Sequence, residues 1–280
     1  MRKLFLPKSL DELREILSKD PDISIYAGGT DFLVKMQKGI INPSSIVCIE
    51  RIDELKGIRE DNDKIWIGAC TTHTELLSNH IIKENFPVLL KAIKVLGSPL
   101  IRNMGTIGGN ICTASPAGDT LPPLYILDAE LEICTKDSLS IVAIKDFITG
   151  PGKTSLKKGQ ILKGIFIRKN NNYTIHHYEK VGQRKALSIA IVSMAALLKV
   201  SSNGDIEDAR LSWGSVAPMV IRSNNVEDFL KGKKFSIETL KALKSIVEKE
   251  VSPIDDIRAT ALYRKLVASN LVLRLIKYEI

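Results

Sequence analysis

Aromatic residues are scarce, at 5% of 280 positions. A single-strand nucleic-acid binder needs stacking platforms among its basic residues, and none is visible here. Cysteine is also sparse. Cys48, Cys70, Cys112 and Cys134 stand far apart, and no two form a C-x-x-C pair. That spacing excludes a zinc ribbon or a compact iron–sulfur cluster built by this chain alone. Long apolar runs are missing too. The longest, Ile189 to Leu198, is interrupted by Ser193 and is far short of a bilayer span. The N-terminal Met-Arg-Lys-Leu-Phe-Leu-Pro has too short an apolar stretch for a signal peptide. The expectation is a cytoplasmic protein with reduced thiols, no membrane span and no nucleic-acid partner.

What is present is an ordinary globular balance, with 44% hydrophobic and 26% charged residues. Chain length suggests two domains. Ser9 precedes Leu10, Leu13, Ile16 and Leu17 on one helical face, with Glu12 placed for a capping box. Ile23 to Ala27 reads as a strand, Phe32 to Gln37 as a helix, and Ile46 to Ile49 as a second strand, an order that favours parallel pairing. Two further strands flank Asp61-Asn62-Asp63, and Pro87 to Leu96 is a helix. Asn103 to Asp119 shows no regular period, Leu124 to Ile133 reads as a strand, and so does Ile161 to Arg168. After a turn at Asn170-Asn171-Asn172, strands are expected near 174–181, 188–200 and 206–216, then helices at 226–230, 236–250 and 255–278. The paired His176 and His177 point to opposite faces of their strand, so they do not share a metal.

Two glycine segments carry the chemical interest. Ala27-Gly28-Gly29-Thr30-Asp31 joins a strand to a helix. Glycine permits close backbone approach, and a helix start offers unpaired N–H groups, so the segment is either a phosphate cradle or a structural turn. It matches neither the dinucleotide fingerprint nor the P-loop. Thr106-Ile107-Gly108-Gly109-Asn110 is followed by Thr113, Ser115 and Asp119. Asp119 is placed to accept from a ligand hydroxyl. Two such cradles suit a dinucleotide, with its two phosphates and sugar chain.

These motifs and their order resemble the FAD-binding medium subunit of the molybdenum hydroxylases, the xanthine dehydrogenase and carbon monoxide dehydrogenase family. The resemblance runs through Ala27 to Leu33, Ile67-Gly68-Ala69, Ile101-Arg102-Asn103 and Gly105 to Asn110. It continues in Ala114 to Asp119, Leu121-Pro122-Pro123, Leu127-Asp128-Ala129, and Asp146-Phe147 with Gly150. Farther on come Tyr178-Glu179-Lys180 with Arg184 and Ala186, Gly214 to Pro218, and Ala261 to Arg264. It implies an α+β fold. A two-lobed FAD-binding domain of the vanillyl-alcohol oxidase/PCMH type spans 1–172, with the flavin between its lobes. A C-terminal domain of the CO dehydrogenase flavoprotein type spans 173–280, with a three-stranded antiparallel sheet and a helical bundle.

The resemblance also implies roles. Ala27, Gly28, Gly29, Thr30, Asp31, Phe32, Leu33 and Val34 would contact the FAD pyrophosphate. Thr106, Ile107, Gly108, Gly109 and Asn110 would line a second cradle. Asp119 would hold a sugar hydroxyl, Leu162 would pack near the flavin, and Lys180 would approach its ring. Gln160 stands where many relatives have Glu. No catalytic side chain and no metal ligand is implied on this chain. Partners would be a molybdopterin-binding large subunit and a 2Fe–2S small subunit, in a dimer of heterotrimers that passes electrons to NAD+ or another acceptor. A stand-alone FAD-dependent oxidase and a non-catalytic nucleotide-binding assembly module are the alternatives. The net charge of +8 contains one stretch, 153–169, with Lys153, Lys157, Lys158, Lys163, Arg168 and Lys169 and no acid. It is either a solvated face or a docking patch for an acidic partner.

Overall fold

The computed structural model describes residues 2–135, 138–169, 172–184 and 187–278. The expected turn at 170–171 and the motif residue Ala186 lie outside them. The chain forms two compact units, each assembled from separate stretches of sequence. The first comprises Met1–Ile81, Ser98–Ala114 and Asp128–Lys169, and the second Ile82–Gly97, Ser115–Leu127 and Asn170–Ile280. Two segments that precede residue 172 therefore belong with the C-terminal part.

In the first unit, strands Lys3–Phe5, Ser45–Cys48 and Ser24–Tyr26 form a parallel sheet in that order. Helix Leu10–Lys19 covers it, capped by Ser9, whose hydroxyl accepts from the Glu12 N–H. Its stripe of Leu10, Leu13 and Leu17 is buried with Val47, Ile49, Ile52 and Leu55. The second sheet is antiparallel, in the order Ile58–Asp61, Lys64–Gly68, Ile161–Arg168, Glu130–Cys134, Leu139–Ala143. Its interior holds one polar knot. Trp66 Nε1 donates to Glu132 at 2.8 Å, and Lys163 reaches the other carboxylate oxygen at 3.1 Å. Gly164 makes room, since a Cβ there would lie 2.4 Å from Trp66 Nε1.

In the second unit, strands Ile175–Val181, Val192–Val200, Ile206–Gly214 and Ile221–Arg222 form an antiparallel sheet. The sheet is four-stranded, not three-stranded. The added strand is two residues long, too short to show a period in sequence. Residues Val192 to Leu198 are all buried, because elements lie on both faces. Helices Pro87–Val95 and Leu121–Ile126 pack on this sheet, as do Asn224–Leu230 and Ala261–Leu271. Helix Ile237–Glu250 lies against its helical neighbours, with Leu240, Leu243 and Val247 buried.

Three sequence expectations need correcting. Asn103 to Asp119 is not irregular. Helices Pro99–Met104 and Ile107–Thr113 occupy much of it, capped by the Ser98 and Thr106 hydroxyls. Paired glycines inside a short helix conceal its period. Leu124 to Ile133 is not one strand. Pro122 and Pro123 start helix Leu121–Ile126, Asp128 turns the chain at φ 50°, and strand Glu130–Cys134 follows. The last helix does not begin at 255. The Asp256 carboxylate accepts from the Arg258 and Ala259 N–H groups, which holds a turn until Thr260 caps Ala261–Leu271.

Arg264, only 4% exposed, ties this turn to the sheet. It donates to Ile191 O at 2.6 Å, Ser215 O at 3.3 Å and Asp256 Oδ1 at 2.6 Å. Removing it leaves the Ile191 and Ser215 carbonyls without this donor, while the exposed Asp256 keeps its bonds from Arg258 and Ala259. Arg264→Ala is expected to cost roughly 2–4 kcal/mol, the scale of two acceptors losing a hydrogen bond. The measurement is a lowered denaturation midpoint at unchanged m-value.

Candidate functional site

The first glycine segment leaves the edge strand Ser24–Tyr26 and enters helix Phe32–Gln37. Gly29 turns the chain at φ 71°. The helix start has no side-chain cap. The Gly29 carbonyl accepts from the Leu33 N–H and the Asp31 carbonyl from the Lys35 N–H. The main-chain N–H groups of Ala27, Gly28, Gly29, Thr30, Asp31 and Phe32 have no acceptor among the described residues. Six successive unspent donors around a left-handed glycine are a main-chain donor set of the kind that binds anions. Gly28 is mandatory for packing, because a Cβ there would lie 1.6 Å from the Met104 carbonyl oxygen. Phe32 stacks on Tyr26 at 5.3 Å between centroids, and Leu33 and Val34 are exposed. Asp31 pairs with Lys35 at 2.6 Å.

The second glycine segment looks alike in sequence and behaves differently. Its N–H groups are spent inside the protein. Ile107 donates to Thr71 O, Gly108 to Ala69 O, Gly109 to the Thr106 hydroxyl, and Asn110 to Thr106 O. The expectation of a second open cradle of main-chain donors is therefore corrected at 107–110. Here the missing side chain serves contact. A Cβ on Gly108 would lie 2.5 Å from the Ala69 Cβ, so the helix start is pressed onto the end of a strand. Gly109 is exposed and leaves bare backbone at the surface. Thr113 Oγ1 reaches Asp31 at 3.4 Å, so the two glycine segments lie side by side.

His73 lies beneath them. It is 2% exposed, and its N–H donates to Gly105 O at 3.0 Å. A Cβ on Gly105 would lie 3.3 Å from the His73 ring and 3.5 Å from the Thr30 hydroxyl. Burial, aided by the Arg102 charge, pushes the imidazole down to about 4.

The remaining expected residues fall as follows. In the second unit, Asp119 and Lys180 form a buried ion pair at 2.7 Å, and Tyr178 donates to Asp119 at 2.8 Å. Burial raises the Asp119 carboxyl, while Lys180 and Tyr178 pull it back. In the first unit, Leu162 is 4% exposed in strand Ile161–Arg168, opposite Ile133. Gln160 closes a turn, its amide oxygen accepting from the Lys157 N–H at 2.8 Å, a task that needs no negative charge. The basic stretch is largely neutralised at home. Lys158 pairs with Asp22, Lys163 with Glu132, Arg168 with Asp63 and Lys169 with Glu60. Such pairing favours the solvated face over the docking patch. Sequence reading missed Tyr178, although it stands two residues before Lys180 on one strand and therefore shares its face. It also passed over Met104 and gave no role to Ala69, the residues that receive the two glycines. Among the described residues, no group of three or more His, Cys, Asp or Glu side chains could hold a metal, and no helix is long and apolar enough to cross a membrane.

This arrangement matches known proteins along the whole chain. Residues 1–168 match the family described as the FAD binding domain in molybdopterin dehydrogenase. Residues 177–278 match the CO dehydrogenase flavoprotein C-terminal domain. The xanthine dehydrogenase FAD-binding subunit of Escherichia coli O157:H7 is 32% identical, over 91% of this chain and 88% of its own length. The glyceraldehyde dehydrogenase medium chain of Sulfolobus acidocaldarius is 31% identical, over 96% and 95%. A chain in the structure of carbon monoxide dehydrogenase from Hydrogenophaga pseudoflava superposes with a TM-score of 0.93 at 28% identity, covering 99% of this chain and 96% of that one. The protein belongs to the FAD-binding subunit family of the molybdenum hydroxylases, whose members are oxidoreductase subunits.

The buried imidazole sets a pH dependence. His73 titrates near 4 when folded and near 6.5 when exposed, so between those values the unfolded chain binds more protons. Stability from this group is present above pH 6.5 and lost as pH falls towards 4. The loss is about 3 kcal/mol. His177, pushed down to about 3, acts in the same direction. In His73→Asn, denaturant titrations at pH 6.5 and pH 4 are expected to show a drop smaller than wild type by that amount.

Proposed function

We propose that this chain carries FAD in a molybdenum hydroxylase, takes electrons from a 2Fe–2S subunit and passes them to NAD+ or another acceptor. A molybdopterin-binding large subunit oxidises the substrate, and the assembly is a cytoplasmic dimer of heterotrimers. The cofactor-binding sequence runs from 1 to 172 and the C-terminal domain from 173 to 280. Family membership supports the cofactor and the class of partner. One observation carries the assignment to particular residues: the six unspent N–H groups at 27–32, on a turn seated where Gly28 admits no side chain. A pyrophosphate is the anion that such a strip of donors fits.

FAD, when bound, supplies the redox chemistry, and the protein supplies binding, orientation and electrostatics. Residues Ala27 to Phe32 hold the pyrophosphate through main-chain N–H groups, with Leu33 and Val34 continuing the helix start behind them. Thr106, Ile107, Gly108, Gly109 and Asn110 shape the adjoining wall. The main-chain donors of 107–110 are engaged, so they contribute close approach, above all at the exposed Gly109. Asp119 faces the sugar hydroxyls, Leu162 gives apolar support and Lys180 brings positive charge to the ring. The Lys180 ammonium favours the reduced, more negative state of a flavin beside it.

The test is flavin retention. Gly28→Ala is expected to weaken FAD binding by roughly a hundredfold, about 2.7 kcal/mol. The visible flavin band would then be lost on gel filtration. Gly39, also left-handed at φ 68° but with nothing within 4 Å of where a Cβ would lie, is the control. Gly39→Ala keeps the band and loses only about 1 kcal/mol of stability. A Gly28→Ala protein that retains a full complement of FAD contradicts the reading.

A further inference from the structure

Asp119, Tyr178 and Lys180 form a closed polar cluster inside the second unit. Lys180 Nζ donates to Asp119 Oδ2 at 2.7 Å and to the Val95 carbonyl at 2.8 Å. Val95 ends helix Pro87–Val95, where the helix dipole adds negative potential. Tyr178 donates to the other carboxylate oxygen at 2.8 Å. The Lys180 and Asp119 side chains are 6% and 10% exposed, so little water reaches either.

Counting donors gives the functional point. A lysine ammonium has three N–H groups. Two are taken, by a carboxylate oxygen and a carbonyl, and the third has no acceptor among the described residues. The division depends on Tyr178. Each carboxylate oxygen can accept twice, so what Tyr178 on Oδ1 fixes is the rotation that presents Oδ2 to Lys180. Without that hydroxyl the carboxylate is free to turn, and the third donor is drawn into the pair.

We infer that Tyr178 is a positioning residue. Its hydroxyl fixes Asp119 so that Lys180 keeps one N–H for an electron-rich acceptor atom of the bound flavin. The inference rests on the reading that Lys180 approaches the flavin. It goes beyond that reading by giving Asp119 a counter-ion's task and by adding a residue that touches no cofactor. The strong upward shift of the Tyr178 hydroxyl, from burial first and Asp119 second, keeps it a donor at all working pH values.

The experiment is a spectroelectrochemical titration of the flavin in the purified complex. It compares wild type, Tyr178→Phe, Lys180→Met and the double variant. Lys180→Met is expected to move the midpoint potential negative, because a positive charge that favours reduced flavin is gone. Tyr178→Phe is expected to move it the same way by less, with FAD affinity falling about fivefold, the scale of one hydrogen bond. The double variant is expected to match Lys180→Met, since Tyr178 acts only through Lys180. Full additivity in the double variant, or an unmoved potential in Tyr178→Phe while Lys180→Met shifts, overturns the inference and leaves the Lys180 reading intact. An unmoved potential in Lys180→Met overturns both. Should Tyr178→Phe fail to assemble, Asp119→Asn serves instead. It removes the counter-charge and is expected to move the potential positive, and an unchanged potential there overturns the inference.

Discussion

Backbone pressed on backbone is the contact on which the site depends. Gly28 meets the carbonyl of Met104, and Gly108 meets the strand end at Ala69, both at distances no side chain tolerates. These contacts place a strand-to-helix turn, a second helix start and the end of a strand within one small region of the first unit. Such packing gains little from hydrophobic burial. It holds because each partner is locked elsewhere, Ala69 by its hydrogen bond to Lys163 O and Met104 by the helix capped at Ser98. Close approach then fixes where the free N–H groups of 27–32 lie.

The two glycine pairs share a sequence form and divide the labour. In the first, the donors remain unspent and the glycines give approach and a left-handed turn. In the second, every N–H from 107 to 110 is consumed by the fold, and the glycines let a helix start fit against 69–71. A cradle with free donors needs a rigid neighbour, or binding an anion would have to order it first. The spent donors provide that rigidity, and His73, held neutral by burial, underlies both segments without adding charge. The same economy marks the second unit, where the charges of a buried ion pair offset each other and Arg264 donates to carbonyls and one carboxylate.

Much of this was legible in the sequence where a period or a cap spoke for itself. The stripe of Leu10, Leu13 and Leu17 behind Ser9 and the strand–glycine–helix–strand order at 24–48 both read correctly. Helix Phe32–Gln37 matches its expected bounds, and Pro87–Val95 differs by one residue. Reading failed where residue type and backbone state part company. Glycine and threonine at 106–113 suggested a loop, yet Thr106 caps a helix that tertiary contact stabilises. Prolines at 122 and 123 begin a helix, and the apolar run through Ile133 hid the turn at Asp128. The expected site residues were identified through resemblance. What that could not supply was whether each N–H was spent, since the acceptors, Thr71 and Ala69, lie far away in sequence. Sequence could not choose between the two readings of the basic stretch for the same reason, because its acidic partners at 22, 60, 63 and 132 are distant in the chain.

The central claim is that the unspent donors at 27–32 take the pyrophosphate while those at 107–110 belong to the fold. Amide hydrogen exchange on the purified complex, followed with and without FAD and with riboflavin as a ligand lacking the pyrophosphate, tests it most directly. The account predicts strong slowing at 27–32 with FAD alone, and amides at 107–110 that exchange slowly in every state. Slowing by FAD confined to 107–110, or equal slowing of 27–32 by riboflavin, would contradict it.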